Sequence, residues 1–199
     1  MNNTKESIRE MIWEKMENSK ISKSYSYGRI PDFHGSTKAS ELLRNSLEWK
    51  NSNIIFVSPD TAQQNVRKNA FYDGKDLIMA TPKLLNGYII LDSKYTNGNE
   101  EEASTIKGAF RHGGKITSIP YIDMVIEGSV AVDIYGGRLG KGGGYGDIEI
   151  SYLKNNNLID EETPIATTVH EIQIIEKVPL ESHDEKINMI VSPERILRI

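Results

Sequence analysis

Gly136-Gly137-Arg138-Leu139-Gly140-Lys141-Gly142-Gly143-Gly144-Tyr145-Gly146-Asp147 holds seven of the chain's 16 glycines, encloses two cations and closes on a carboxylate. The apolar run Ser129-Val130-Ala131-Val132-Asp133-Ile134 precedes it, and a helical pattern over about Ile148 to Asn155 follows. Strand, glycine-rich turn and helix in that order are a building unit of layered α/β folds. Glycines let backbone N–H groups turn toward a ligand without interference from a Cβ atom. A row of such groups ahead of a helix N-terminus forms an anion site. Arg138 and Lys141 add charge suited to phosphate, and Asp147 is positioned to hold a cation that travels with it. The spacing is neither a Walker loop nor a dinucleotide fingerprint, because no G-x-x-x-x-G-K-[ST] occurs and Tyr145 stands where the third glycine of G-x-G-x-x-G is required.

Working outward, the remaining chain alternates strand and helix patterns. Thr4 to Asn18 reads as an amphipathic helix with Ile8, Met11, Ile12 and Met16 on one face, opened by a capping box of Asn3 and Glu6. Lys5 and Arg9, four apart, share another face of it. Pro31 keeps Arg29 to Phe33 extended. Ser36 caps a helix running through Leu47, with Ala39, Leu42, Leu43 and Leu47 inward. Asn53 to Val57 is a short apolar strand. Pro59-Asp60 opens a helix through Tyr72 that Gly74 ends. Asp76 to Ala80, stopped by Thr81-Pro82, and Tyr88 to Leu91 are further strands. Residues 92–114, with Glu100-Glu101-Glu102, read as a polar surface loop with at most one helical turn. Strand patterns recur at Tyr121 to Ile126, Ser129 to Ile134, Pro164 to Val169, Glu171 to Ile175, Met189 to Val191 and Ile196 to Ile199. The expectation is one three-layer α/β domain over 1–199 with a largely parallel central sheet, its ligand beyond the C-terminal ends of the strands.

Composition narrows the function. A chain of 199 residues with 38% hydrophobic content can bury a core. A formal net charge of −4 gives no global field for nucleic acid or an acidic membrane, so local basic groups must do any phosphate binding. With no cysteine, disulfides, thiolate catalysis and Cys-ligated zinc are excluded. No apolar run approaches the ~20 residues of a membrane span, and a cytoplasmic, soluble protein is expected. His170-Glu171 does not continue into HExxH, since Ile174 occupies the second His position. His183-Asp184 lies on a loop and gains meaning only if the fold brings it to Asp147. Two separated aspartates with phosphate oxygens and water suit Mg²⁺.

Arg138-Leu139-Gly140-Lys141-Gly142-Gly143-Gly144-Tyr145-Gly146-Asp147 resembles the R-L-G-[RK]-G-x-G-Y-[YF]-D motif of the 5-formyltetrahydrofolate cyclo-ligase (methenyltetrahydrofolate synthetase) family. Lys5-Glu-Ser-Ile-Arg9 resembles its N-terminal K-x-x-x-R. Gly74-Lys75-Asp76-Leu77-Ile78-Met79-Ala80-Thr81-Pro82 resembles its G-K-x-[VI]-x-x-P strand. Val178-Pro179, His183-Asp184 and Ile190-Val191-Ser192-Pro193 resemble its C-terminal end. The resemblance implies a single three-layer α/β domain. It further implies an enzyme that uses ATP and Mg²⁺ to close the 5-formyl group of a reduced folate onto N10, releasing ADP and phosphate. By the same resemblance Lys5 and Arg9 hold phosphates. Arg138, Lys141 and the loop from Gly140 through Gly142, Gly143 and Gly144 to Tyr145 cradle ATP, and Asp147 and Asp184 hold Mg²⁺.

The chain also departs from that pattern. Gly146 stands where a second aromatic is usual, Ala62-Gln63 stands in place of a Glu-Thr pair, and Asn188 replaces an Asp. Arg29-Ile30-Pro31-Asp32-Phe33, Ser58-Pro59-Asp60, Gly140-Lys141-Gly142 and Thr168-Val169-His170-Glu171-Ile172-Gln173 resemble the divergent methenyltetrahydrofolate synthetase domain-containing branch. The implied alternatives are an ATP-dependent enzyme of this fold with another substrate, and a non-catalytic nucleotide- or RNA-binding module. The expected partner is a small molecule, with the chain monomeric or homodimeric.

Overall fold

Most of the short apolar runs become strands of one sheet in the computed structural model, which describes residues 4–81, 85, 87–96 and 98–199. The strands are β1 (Ile54–Val57), β2 (Asp76–Ala80), β3 (Tyr88–Leu91), β4 (Gly114–Ile116), β5 (Met124–Ile126), β8 (Ile165–Thr168), β10 (Met189–Val191) and β11 (Ile196–Arg198), in the order β11-β10-β8-β5-β1-β2-β3-β4. The central strands from β10 to β2 run parallel, while β11, β3 and β4 pair antiparallel at the two edges. Parallel strands are covered on both faces, so both sets of alternating side chains must be apolar. Ile55 and Val57 of β1, Leu77 and Met79 of β2, and Met189 and Val191 of β10 enter one core cluster. Phe56, Ile78 and Ile190, their neighbours in sequence, enter the other.

Helices α1 (Lys5–Asn18), α2 (Ser36–Asn45) and α4 (Gln64–Tyr72) pack on the first face. On the second, α8 (Tyr145–Asn155) sends Ile150 and Leu153 inward. This is the expected three-layer α/β arrangement with a mostly parallel sheet. Among the described residues, no helix is long and apolar enough to cross a membrane.

Several local expectations are corrected. Thr4 caps α1 by accepting from the Ser7 N–H, and Asn3, the expected cap, lies outside the described residues, as does Pro82. Met11 is partly exposed, and Trp13 is buried in its stead with its indole N–H on the Arg29 carbonyl at 3.0 Å. The helix from Ser36 stops at Asn45, because Ser46 turns extended and caps α3 (Leu47–Asn51), which leaves Leu47 71% exposed.

The segment 92–114, expected as a loop, folds into α5 (Ser93–Thr96), α6 (Glu100–Ala103) and α7 (Ile106–His112) and opens β4. The acidic run forms the first turn of α6, where negative charge complements the helix dipole. Glu102 also reaches Arg111 and His112, and Glu101 reaches Lys68.

The largest departure concerns Ser129 to Ile134. Its strand, β6 (Ala131–Asp133), lies outside the large sheet and pairs with β7 (Arg138–Leu139) and β9 (Ile174–Ile175) in a small second sheet. Glu171–Gln173, expected as strand, is a short 3-10 turn ahead of β9. Asp133 fastens the hairpin between β6 and β7. Its buried carboxylate accepts from the N–H groups of Tyr135 at 2.8 Å, Gly137 at 2.9 Å and Val178 at 2.7 Å.

Candidate functional site

The hairpin hands the chain to the glycine loop, and the loop lies over the C-terminal ends of β1 and β5. Lys141 reaches Asp60, just past β1, at 3.0 Å, and Arg138 donates to the carbonyl of Gly128, just past β5, at 3.1 Å. The loop thus meets the expected edge of the large sheet without belonging to it. Gly142 at φ +110° and Gly144 at φ +68° hold left-handed backbone that a side chain disfavours. Gly144 is also the N-cap of α8 and supplies no capping side chain. Among the described residues, none of the loop backbone hydrogen bonds is donated by Gly140, Lys141, Gly142, Gly143 or Gly144. These amides are therefore available to an acceptor, and α8 adds its positive dipole end behind them.

They border a cleft of about 190 Å³ lined by Lys5, Arg9, Arg138, Gly140, Gly142, Gly144, Asp147, His183 and Asp184. The fold brings the sequence-predicted residues together here, including the two aspartates. Tyr145 lines the neighbouring cleft with Lys141 and Gly143. Their bonding differs from simple display toward a ligand. Arg138 is buried, with its guanidinium on Asp147 at 2.8 Å, so it fastens the loop to α8. Asp147 Oδ1 also accepts from the Glu185 N–H at 3.1 Å. Arg9 donates to the Gly140 carbonyl at 2.8 Å and to Glu6 at 2.9 Å. Lys5 lies 2.6 Å from Asp184 and 3.1 Å from Glu181. Burial opposes the charge on Lys5, but Asp184 and Glu181 outweigh it and hold the ammonium above its ordinary pKa. Burial likewise opposes the Asp184 carboxylate, yet the Glu181 N–H and Lys5 keep its pKa below the usual value.

The chemistry of a metal can be tested on these donors. Among the described residues, no group of three His, Cys, Asp or Glu side chains could hold a metal ion. A Mg²⁺ carried by a triphosphate needs only one or two carboxylates besides phosphate oxygens and water. Asp147 fits that need through Oδ2, since its hydrogen bonds to Arg138 and Glu185 fall on Oδ1. Asp184 fits only if it parts from Lys5, which engages both its oxygens.

Three side chains escaped the sequence reading. Arg67, fully buried on α4, donates to the carbonyls of Ser58, Asp60 and Ser104 and so fixes the turn that presents Asp60; burial lowers its pKa to about 10. Glu127 follows β5 and Glu149 rises from α8, and both are buried. Burial first, then mutual repulsion for Glu149, raises both carboxyl pKa values, and the two are hydrogen-bonded to each other. The signal for Glu127 was a lone carboxylate between the apolar run Met124 to Ile126 and a glycine, at a strand end where ligands bind.

Three further groups that the sequence singles out, His170, Gln63 and Asn188, are structural. His170 caps the 3-10 turn by accepting from the Ile172 N–H at 3.2 Å, and burial lowers its pKa. Gln63 is buried against Thr168, and Asn188 holds Ile165 and Thr163. His183 is exposed at the rim, 3.7 Å from Asp184.

The chain is 31% identical over 203 residues to a methenyltetrahydrofolate synthase domain-containing protein of Bos taurus, covering 98% of this chain and 53% of the relative. To that of Mus musculus it is 32% identical over 206 residues, covering 98% and 55%. The chain thus spans about half the length of these curated relatives. A 5-formyltetrahydrofolate cyclo-ligase of Escherichia coli is 33% identical over 75 residues, 38% of each chain. The fold is shared with a 5,10-methenyltetrahydrofolate synthetase of Aquifex aeolicus at TM-score 0.61 and 18% identity, covering 98% of this chain and 92% of that one. The Mycoplasma pneumoniae synthetase matches at TM-score 0.56 and 13% identity, covering 96% and 98%. The family model matches residues 1–193, and the chain belongs to the 5-formyltetrahydrofolate cyclo-ligase family.

Proposed function

We propose that the chain is an ATP- and Mg²⁺-dependent cyclo-ligase that converts 5-formyltetrahydrofolate, or a related formylated pterin, to the 5,10-methenyl form with release of ADP and phosphate. The observation that carries this reading is the run from Gly140 to Gly144, whose amides donate no backbone hydrogen bond among the described residues, with Gly140, Gly142 and Gly144 lining one cleft together with Lys5 and Arg9. In the proposed reaction the formyl oxygen attacks the γ-phosphate, N10 attacks the resulting iminium carbon, and phosphate departs. A formamide oxygen leaves poorly, and phosphorylation makes it a good leaving group.

The chain's share is to orient the reactants and neutralise developing charge. The loop amides and the N-terminus of α8 hold phosphate oxygens, with Lys5 and Arg9 opposite. Lys141, the most exposed of these cations, is free to swing from Asp60 to the triphosphate. Asp147, through Oδ2, would hold Mg²⁺, whose bound charge offsets that of the phosphates.

The test mixes protein, ATP, Mg²⁺ and 5-formyltetrahydrofolate and follows the methenyl chromophore. Lys141→Ala should lower kcat/KM by roughly 10²–10³. No product above that variant counts decisively against this substrate. Two observations favour a second reading, an ATP-dependent enzyme of the same fold with a different substrate: Gln63 is turned into the core, and Gly146 leaves no second aromatic beside Tyr145. ATP binding without turnover of the folate would favour it.

A further inference from the structure

The glycine loop borders two clefts of opposite character. Lys5 and Arg9 line the triphosphate cleft already described. The second, about 50 Å³, is lined by Ile30, Asp60, Glu127, Gly128, Arg138 and Lys141 along with the loop glycines, Tyr145 and Asp147. Asp60, Glu127 and Asp147 give it an excess of carboxylates over cations.

Glu127 is its unusual member. The residue is 3% exposed, and its Oε1 has no hydrogen-bond partner among the described residues. Glu149 is hydrogen-bonded to the same carboxylate, and Arg138 acts on it through its charge. Arg138 lines the same cleft, and its Nε is a buried donor that also lacks a partner among the described residues. Buried polar groups are nearly always bonded, and an orphan acceptor and an orphan donor along one cleft wall need an external explanation. The cavity has room for a few waters, at ~10–15 Å³ each, or for the edge of one flat ring. A carboxylate facing such an edge accepts from N–H groups, as it does from the fork of an arginine.

We propose that Glu127, with Arg138 Nε as its complement, is the specificity-determining contact for the second substrate, and that it reads a flat heterocycle presenting a ring N–H beside an acceptor. The lactam edge of a pterin has that pattern. The assignment deepens the cyclo-ligase reading and rests on it: triphosphate on the cationic side of the loop, N–H-bearing ring on the acidic side.

The experiment uses the whole chain and compares wild type with Glu127→Gln and Glu127→Met. Calorimetry gives the affinity for ATP with Mg²⁺. It then gives the affinity for 5-formyltetrahydrofolate, and for a reduced pterin methylated at the ring N–H, each in the presence of a non-hydrolysable ATP analogue. Melting curves confirm that the variants fold. The expected result is ATP affinity within about twofold of wild type and a roughly 10- to 100-fold loss of 5-formyltetrahydrofolate affinity in both variants. Methylation should weaken binding to wild type and leave binding to Glu127→Met unaffected. If wild type binds the pterin and the variants bind it equally well, the assignment is overturned and the cyclo-ligase reading stands. If wild type binds ATP but neither binds nor turns over the pterin, both fall together.

Discussion

Gly146 is the position where a single methyl group should report on the whole site. It is the second residue of α8 and carries no left-handed φ, so alanine suits its backbone. The obstacle is steric. A Cβ at Gly146 would lie 2.8 Å from Nη2, 2.9 Å from Nη1 and 3.0 Å from Cζ of Arg138. The guanidinium cannot retreat cheaply, because it is 3% exposed and held by Asp147 at 2.8 Å and the Gly128 carbonyl at 3.1 Å. Overpacking of this kind costs about 1–3 kcal/mol. Alanine recovers at most about 1 kcal/mol of helix propensity, and less in a first turn. The net expectation for Gly146→Ala is a destabilisation of about 1–2 kcal/mol, which in a chain of this length lowers Tm by roughly 2–8 °C.

Because relief comes by pushing Arg138 off Asp147, ATP affinity in the presence of Mg²⁺ should fall as well. Urea unfolding and calorimetric titration with ATP measure the two effects. Gly144→Ala is the matched comparison: nothing lies within 4 Å of its Cβ, but φ is +68°, so its cost is backbone strain alone. A Gly146→Ala protein that melts at or above wild type and binds ATP equally would refute the claim that Arg138 fills the space beside α8 as a fixed strut.

Two further substitutions test the supports of the site. Asp133→Ala leaves three N–H groups, two of them in buried bonds, without their shared acceptor, and should cost about 3 kcal/mol in urea unfolding while shifting the hairpin that carries the glycine loop. Glu149→Gln tests the buried carboxyl pair through pH. Burial, then Glu127, raises the folded pKa of Glu149 above its ordinary 4.5, so the folded state binds a proton that the unfolded state releases. That contribution is fully present below the unfolded value and is lost as pH rises toward the folded one. Glu149→Gln should therefore gain stability relative to wild type, with the gain growing between about pH 5 and about pH 8 in denaturant midpoints; a gain that shrinks over that range would show the sign to be wrong.

Much of the fold was legible because burial on both faces of a parallel sheet leaves a plain mark. Ile54 to Val57 and Met189 to Val191 are too short and too apolar to be surface elements, and they became central strands. The same mark misled at Ser129 to Ile134. Val130, Ala131 and Val132 are as buried as any central strand, and nothing in composition says which sheet a strand joins. That is decided by Asp133 and by pairing with a segment more than 40 residues away at Ile174, a contact local patterning cannot carry. Residues 92–114 looked like a loop because their helices are only one or two turns long. Their order comes from long-range contacts such as Arg67 on the Ser104 carbonyl. At the site, the glycine loop and its cations were readable from residue type alone, whereas Glu127, Glu149 and Asp60 become visible only when three separated strand and helix ends converge.

The convergence changes how the cations of the loop should be understood. A sequence displays Lys5, Arg9, Arg138 and Lys141 as four positive groups facing a phosphate. In the folded chain each has a protein partner: Asp184 and Glu181 for Lys5, Glu6 and the Gly140 carbonyl for Arg9, Asp147 for Arg138 and Asp60 for Lys141. A triphosphate must therefore compete with carboxylates, and the cations differ in how readily they yield. Arg138 is buried and bonded on two sides, so it stays; Lys141 is 44% exposed with a single partner, so it moves. Exposed pairs of that kind are worth only about 0–1 kcal/mol, a small toll for exchange. Lys5 is the coupled case, because any phosphate that draws it away also frees Oδ1 of Asp184, whose Oδ2 stays on the Glu181 N–H, in the cleft that Asp147 borders. Arrival of the anion, on the proposed reading, thus makes a second carboxylate available to a phosphate-bound Mg²⁺, which takes one or two. On the proposed reading, this exchange is how a site whose charges are already paired selects a nucleotide together with its metal over either one alone.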